Sequence, residues 1–317
     1  MLRSRFITAV FAASVVAFAA ALSGCGQFSP PYMKPLAPQT RALLAEKGMT
    51  EEQPVLVRIF KAESELEVWK QKDDGRYYHF KTYPICAYSG GLGPKVKQGD
   101  RQAPEGFYLI SRDQLNPRSK YHLAFNIGFP NAYDRSLGRT GSNLMVHGDC
   151  TSAGCYAMTD AVIEEIYILA REALNAGQAS FQVQAYPFRM TSANLAAHTK
   201  DDWYDFWRNL KEGYDYFETT RLPPTVAVCE KRYLVNAAFN NNVRPNPAGA
   251  CPAYRKLPVV AFKPSKDDGK KTMSQASLAK PLGSVMGLSF GSVTPTYRAM
   301  TLGPATPSIA SDKKKKK

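Results

Sequence analysis

Between Leu144 and Met158 the chain reads Leu-Met-Val-His-Gly-Asp-Cys-Thr-Ser-Ala-Gly-Cys-Tyr-Ala-Met, which sets one imidazole, His147, and two thiols, Cys150 and Cys155, close together in sequence. The thiolate is the nucleophilic form of cysteine, so a reactive Cys155 needs a base or a positive environment to give up its proton. His147 ends an apolar, strand-like entry and Cys155 begins the approach to a helix, so the turn between them can bring imidazole and sulfur together. Gly154 permits a backbone geometry that aims its own N–H and that of Cys155 at a developing oxyanion, while Gly148 and Ser152 shape the turn. A helix N-terminus expected after Met158 adds a positive dipole end. The chemistry these residues suit is nucleophilic attack by Cys155 with His147 as base.

Other chemistries use the same atoms. His147, Cys150 and Cys155 supply three of the four ligands a structural zinc needs. Cys150 and Cys155 could be bonded to each other, which would extinguish the nucleophile. Either thiol could be plain core, since free cysteine is often buried, and Cys150 is expected to be a structural thiol of that kind.

The elements that must position this stretch follow from pattern. Strands are expected at Pro54–Phe60, Leu66–Lys70, Tyr77–Tyr83, Phe107–Ile110, His122–Ile127 and Phe181–Tyr186, and the pair Asp74-Gly75 supplies the turn of a hairpin. The stretches 88–100 and 129–142 read as loops, the second with a turn at Asn116-Pro117 before its preceding strand, and loops of that length are usually functional. Thr159 is placed to cap a helix over Asp160–Ala176 whose stripe is Val162, Ile166, Leu169 and Ala173. A second helix over Asp201–Tyr214 aligns Trp203, Trp207, Leu210 and Tyr214, read as packing. A small hairpin at 225–235 follows. Cys229 and Cys251 flank an Asn/Pro/Gly loop that a disulfide between them would close.

The ends bound the setting. Arg3 and Arg5 precede the apolar run Phe6–Leu22, the pattern of a secretory signal. Its Leu22-Ser23-Gly24-Cys25 ending resembles the lipobox of bacterial lipoproteins, which makes Cys25 a lipid anchor in a periplasmic protein held to a cell-envelope membrane. Residues 25–53, with Pro30, Pro31, Pro35 and Pro38, read as a tether holding at most a short helix over Arg41–Lys47. The Gly/Ser/Thr/Pro-rich stretch from residue 264 to the terminal lysines reads as a disordered basic tail. The formal charge of +14 falls to +8 without Arg3, Arg5, Asp312 and the five terminal lysines. A basic exported body suits an anionic envelope surface or simple solubility, and export excludes nucleic acid. Five cysteines remain after Cys25, so at least one is free or paired between molecules.

His147-Gly148 followed by Ser152-Ala153-Gly154-Cys155 resembles the catalytic signature of the L,D-transpeptidases of bacterial cell walls, the YkuD domain, which pairs His-Gly with Ser-x-Gly-Cys. The resemblance runs from about Val55 to Phe188 and includes Ala103-Pro104-Glu105-Gly106-Phe107, similar to the family's Thr-Pro-x-Gly-x-Phe strand entry. Ala157 stands where the family usually has an arginine, and His147 lies only eight residues before Cys155. Both features resemble the YafK-like branch, as does Phe125-Asn126-Ile127-Gly128 leading to Asn131-Ala132-Tyr133-Asp134.

The resemblance implies an α+β, mainly β fold, a YkuD-like β-sandwich catalytic domain over 54–188 with a helix after the nucleophile; beyond it, the residues themselves read as a C-terminal helical, disulfide-bearing extension over 189–263. The resemblance implies no cofactor and no metal. It implies a stem peptide of peptidoglycan as substrate, attacked by Cys155 at the carbonyl of its diamino acid, with a thioester intermediate. Capture by an amine gives transpeptidation, and capture by water gives hydrolysis that trims stems or frees a murein-linked lipoprotein, a second candidate partner. With no arginine at Ala157, Tyr133, Arg135 and Arg139 become the candidates for binding the stem. A reading of another class is a non-catalytic lipoprotein that binds peptidoglycan through its basic surface.

Overall fold

The structure, a computed structural model, describes residues 29–240 and 243–264. The expected signal sequence, Cys25 and all but the first residue of the expected basic tail lie outside the described residues. The first α-helix of the described chain is α1 (Pro38–Glu46), with proline in its first turn, where a missing N–H costs nothing. The expected tether is corrected here: Leu36, Leu44 and Met49 are buried in the main core. Their apolar side chains gain more from the core than a free spacer gains in entropy.

Seven strands follow, β1 (Val55–Phe60), β2 (Glu65–Gln71), β3 (Tyr77–Pro84), β4 (Ala87–Tyr88), β5 (Gly106–Ile110), β6 (Leu115–Ser119) and β7 (His122–Asn126). Next come α2 (Ala132–Ser136), β8 (Met145–His147), β9 (Tyr156–Ala157), α3 (Asp160–Asn175), β10 (Phe181–Tyr186), α4 (Ser192–Ala197) and α5 (Tyr204–Thr220). The described chain closes with β11 (Val226–Cys229), β12 (Arg232–Val235), β13 (Ala237–Phe239) and β14 (Tyr254–Lys256), which form two small hairpins.

Two five-stranded mixed sheets carry the fold, in the orders β3-β2-β1-β10-β5 and β4-β9-β8-β7-β6. One core holds Val57 and Ile59 of β1, Val183 of β10, Phe125 of β7 and Val146 of β8 together with Ile163, Ile166 and Leu169 of α3. The rings of Phe125 and Phe181 meet edge to face at 5.5 Å across the two sheets. The architecture is thus α+β and mainly β, two sheets facing each other with α3 sealing the core. Thr159 does cap α3, its hydroxyl accepting the Val162 N–H. The buried stripe includes Ile163 in place of Val162.

β1 explains why its sequence does not alternate. Val55, Val57 and Ile59 face the main core, whereas Leu56, Arg58 and Phe60 face the other way and are equally buried. A strand covered on both faces reads as a continuous apolar run. The second cover is α5: Arg58 donates to Glu218 at 2.6 Å and lies over the rings of Tyr214 (4.5 Å) and Phe217 (4.8 Å). The C-terminal segment therefore completes the packing of the first sheet, and the described residues up to Phe262 belong to one compact unit.

Local differences have local causes. β6 runs through the expected Asn116-Pro117 turn because it is an edge strand, where a proline forfeits no ladder bond. Its turn falls instead at Lys120–Tyr121. α2 interrupts the second expected loop with a reciprocal cap, the Asn131 side chain accepting the Asp134 N–H and the Asp134 carboxylate accepting the Asn131 N–H. α5 starts at Tyr204 and continues to Thr220, since Phe217 extends its buried face one turn beyond Tyr214.

Candidate active site

Cys155 is followed by a strand before any helix, and that strand fixes the geometry. β9 pairs in parallel with β8, with Val146 opposite Tyr156 and His147 opposite Ala157. Side chains alternate between faces of a strand. His147 and Ala157 therefore share a face, and Cys155 lies in the bend immediately before β9, two residues before Ala157. The joining loop is tied at its base by Met158 N–H donating to the His147 carbonyl at 2.7 Å and Cys150 N–H donating to the Met158 carbonyl at 3.2 Å.

His147 is 2% exposed. Its Nδ1 lies 2.6 Å from the Gly148 carbonyl. A carbonyl only accepts, so Nδ1 carries the proton and Nε2 keeps a lone pair for a thiol proton. The half-exposed ring of Tyr121 covers the imidazole, centroid to centroid 4.7 Å. Burial lowers the imidazole pKa, against the opposing pull of the Gly148 carbonyl and Asp149.

Cys155 is half-buried and is the free thiol among the described cysteines. Sγ–H donates to the Asn143 carbonyl at 3.6 Å. Burial pushes the thiol pKa up, opposed by a hydrogen bond from the Met145 backbone and the charge of Lys95. That lysine is itself buried, donating to Asp100 Oδ1 at 2.5 Å and to the Lys97 carbonyl at 3.0 Å. Both shifts favour the neutral thiol and the neutral imidazole over a thiolate–imidazolium pair. Alkylation of Cys155 by iodoacetamide is accordingly expected to climb steadily from pH 6 through pH 9; a plateau already reached at pH 6 would contradict the neutral pair.

The turn residues have separable tasks. Ser152 Oγ–H donates to the Cys155 carbonyl at 2.8 Å and accepts the Gly154 N–H at 3.2 Å. The Gly154 N–H is thereby engaged, which corrects the expectation that it points at an oxyanion. Gly154 has φ +124°, where a side chain is strained. Gly148 is needed for a different reason: a Cβ there would stand 2.5 Å from Asp160 Oδ1 and 3.0 Å from the Tyr121 carbonyl.

Cys150 is neither core nor a partner for Cys155. It is exposed and bonded to Cys86, with Cα atoms 5.2 Å apart, so the expected structural thiol is corrected and the zinc set loses a ligand. Cys229 and Cys251 are likewise bonded to each other, Cα–Cα 5.1 Å.

Two stem-binding candidates are also corrected. Tyr133 and Arg139 are each 6% exposed. Tyr133 stacks on Tyr233 at 4.3 Å and Phe206 at 5.4 Å, and Arg139 donates to Asp134 Oδ1 at 2.9 Å. A buried guanidinium needs such a carboxylate, so Arg139 is spent inside the fold. Arg135 remains exposed and donates to the Pro130 carbonyl.

Sequence patterns gave no sign of the scaffold beneath the glycine loop. Lys61 Nζ, fully buried, donates to the Gly93 carbonyl at 2.7 Å and pairs with Glu105 Oε1 at 3.0 Å. Glu105 also accepts the Gly93 N–H at 2.8 Å and the Trp207 Nε1–H at 2.9 Å. The loop so anchored reaches the catalytic turn through Ser89, whose hydroxyl lies 3.4 Å from Ser152 Oγ.

The model of the L,D-transpeptidase catalytic domain, YkuD, matches residues 54–175. The putative L,D-transpeptidase YafK of Escherichia coli strain K12 is 53% identical over 190 residues, covering 60% of this chain and 77% of the relative. The same protein of E. coli O157:H7 gives the same figures. Among solved structures, the helical cell shape determining protein Pgp2 of Campylobacter jejuni aligns at TM-score 0.35 with 18% identity, covering 59% of this chain and 79% of Pgp2. Bd1075 of Bdellovibrio bacteriovorus aligns at TM-score 0.30 with 18% identity, covering 53% and 59%. On its sequence identity to YafK and its catalytic-domain match, this chain belongs to the YkuD family of L,D-transpeptidases.

Proposed function

We propose that the protein is a peptidoglycan L,D-transpeptidase-type cysteine enzyme that acts on stem peptides at the carbonyl of the diamino acid. The observation that carries this reading is the register that sets His147 opposite Ala157, two residues after Cys155, with Nδ1 of the imidazole committed to the Gly148 carbonyl. Nε2 takes the thiol proton as sulfur adds to the carbonyl, and returns it to the departing amine, leaving a thioester on Cys155. An amine from a neighbouring stem or a lipoprotein lysine then gives transpeptidation, and water gives hydrolysis. Hydrolysis has one observation in its favour: position 157, opposite His147, is a fully buried alanine and offers no cation to a stem carboxylate.

The setting proposed is the periplasm, with Cys25 lipidated and the chain held at a cell-envelope membrane. Incubation of the protein with purified sacculi tests the function. New links between diamino acids, read by mass in the muropeptides, mark a transferase. Trimmed stems or freed lipoprotein mark a hydrolase, and unchanged muropeptides overturn the reading. Labelling cells with a fatty-acid analogue tests the anchor, and an unlabelled mature chain refutes it.

A further inference from the structure

The geometry points to Asp160 as a positioning residue for His147 that acts through the peptide unit joining Gly148 to Asp149. This rests on the pairing of His147 with Cys155 proposed above. The oxygen of that peptide unit is the Gly148 carbonyl, which accepts the His147 Nδ1–H at 2.6 Å. Its nitrogen is that of Asp149, whose N–H donates to Asp160 Oδ1 at 2.9 Å. A peptide group is planar and conjugated, so a carboxylate drawing on its N–H makes its oxygen a stronger acceptor. The order is carboxylate, amide, imidazole, thiol. A triad acid fills the same role by touching the imidazole directly, orienting it and favouring the imidazolium that forms during attack; here one amide stands between.

Three further features single out this arrangement. Thr159 already caps α3, accepting the Val162 N–H at 3.4 Å, so the helix start does not depend on the Asp160 carboxylate bonding its own helix. Oδ1 instead turns onto the catalytic loop and occupies the space that only a glycine at 148 leaves open, 2.5 Å from where a Cβ would stand. The Gly148 N–H is held by the Tyr121 carbonyl at 3.0 Å and the Leu123 carbonyl at 3.2 Å, so the residue that carries the acceptor oxygen is fixed on both sides.

The charged neighbours are few. His122 on β7 lies 3.9 Å from Asp160 Oδ2 and 2.7 Å from Glu164 Oε1 on the next turn of α3. Lys34, from the segment before α1, pairs with Glu164 at 3.0 Å. Asp149 acts on His147 from the loop, Tyr121 covers the ring, and the charge of Lys95 acts on Cys155.

The test uses the full chain and two readouts. Asp160→Asn keeps an acceptor for the Asp149 N–H and removes the charge; Asp160→Glu keeps the charge. Without the charge the imidazolium is less favoured, so the acid limb of the pH–rate profile moves down by about half a pH unit, and kcat on sacculi falls about tenfold with KM unchanged. Iodoacetamide alkylation of Cys155 at pH 7 slows about threefold on the same ground. Asp160→Glu restores at least part of both. A purely structural Asp160 predicts that Asp160→Asn leaves the limb and the alkylation rate where they were, and that result overturns the proposal. So does an equal shift from Glu164→Gln, which would mean a diffuse field, or disappearance of the shift in a His122→Gln background, which would assign the limb to His122. Alkylation needs no substrate, so a chain inert toward sacculi still reports on this coupling, and failure of the two ideas can be told apart.

Discussion

A chain carrying Cys155→Ala is expected to lose turnover of purified sacculi by about 10⁴-fold or more while sedimenting with them as the parent does. Removing a nucleophile leaves only what binding and oriented donors contribute, and losses of that order follow in enzymes that use covalent catalysis. No other thiol among the described residues can take over, because Cys86, Cys150, Cys229 and Cys251 are all in disulfides. The substitution removes one half-buried sulfur, so the stability cost is on the order of 1 kcal/mol and the variant remains folded. That separation gives the experiment its force. A non-catalytic wall-binding lipoprotein predicts unchanged behaviour in both assays, because its affinity would come from surface cations. Undiminished turnover in the variant would refute the mechanism; lost binding together with lost turnover would place Cys155 in recognition.

Much of this site was legible in the sequence because its parts are local. The His-Gly and Ser-x-Gly-Cys spacing marks the pair, and Thr159 with the stripe through Ile166, Leu169 and Ala173 marks α3, since a cap and a 3.6-residue period are properties of adjacent residues. What the sequence hid depends on partners far along the chain. Cys86 lies 64 residues from Cys150, and five cysteines allow many pairings. Whether Arg139 reaches substrate or Asp134 depends on α2, a helix too short to show a period. β1 announces itself as a strand, yet its second buried face exists only because α5 returns to cover it, with Glu218, 160 residues away in sequence, accepting from Arg58. By sequence Asp160 is an ordinary first-turn acid of α3, and only the fold of the catalytic loop, with the Asp149 N–H donating to Asp160 Oδ1, shows its carboxylate turned onto the peptide that orients His147.

The Cys86–Cys150 bond carries the second large effect. Replacing both cysteines with serine is expected to cost about 4 kcal/mol, the chain-entropy value for a closed loop of this size, read as a lower urea midpoint. It should also cost turnover beyond what the unfolded fraction explains. The bond ties the catalytic loop to the segment entering β4: Cys86 N–H donates to the Ala157 carbonyl at 2.9 Å, and β4 pairs with β9 immediately after the nucleophile. Asp149 and Cys150 both sit at positive φ, +68° and +46°, which non-glycine residues hold only when their surroundings insist. Cut loose, that stretch relaxes, and with it the Gly148 carbonyl that fixes the imidazole proton. The Cys229–Cys251 pair is the internal comparison. Its loop is shorter, 22 residues apart in sequence, and it closes the last hairpins far along the chain from β8 and β9. Serine at both of those positions should cost about 3 kcal/mol and leave turnover per folded molecule unchanged. If the two double variants lose turnover equally at matched folded fractions, the Cys86–Cys150 bond is only a stabiliser of the fold. If the first alone does, forming that bond is a condition for the active loop itself.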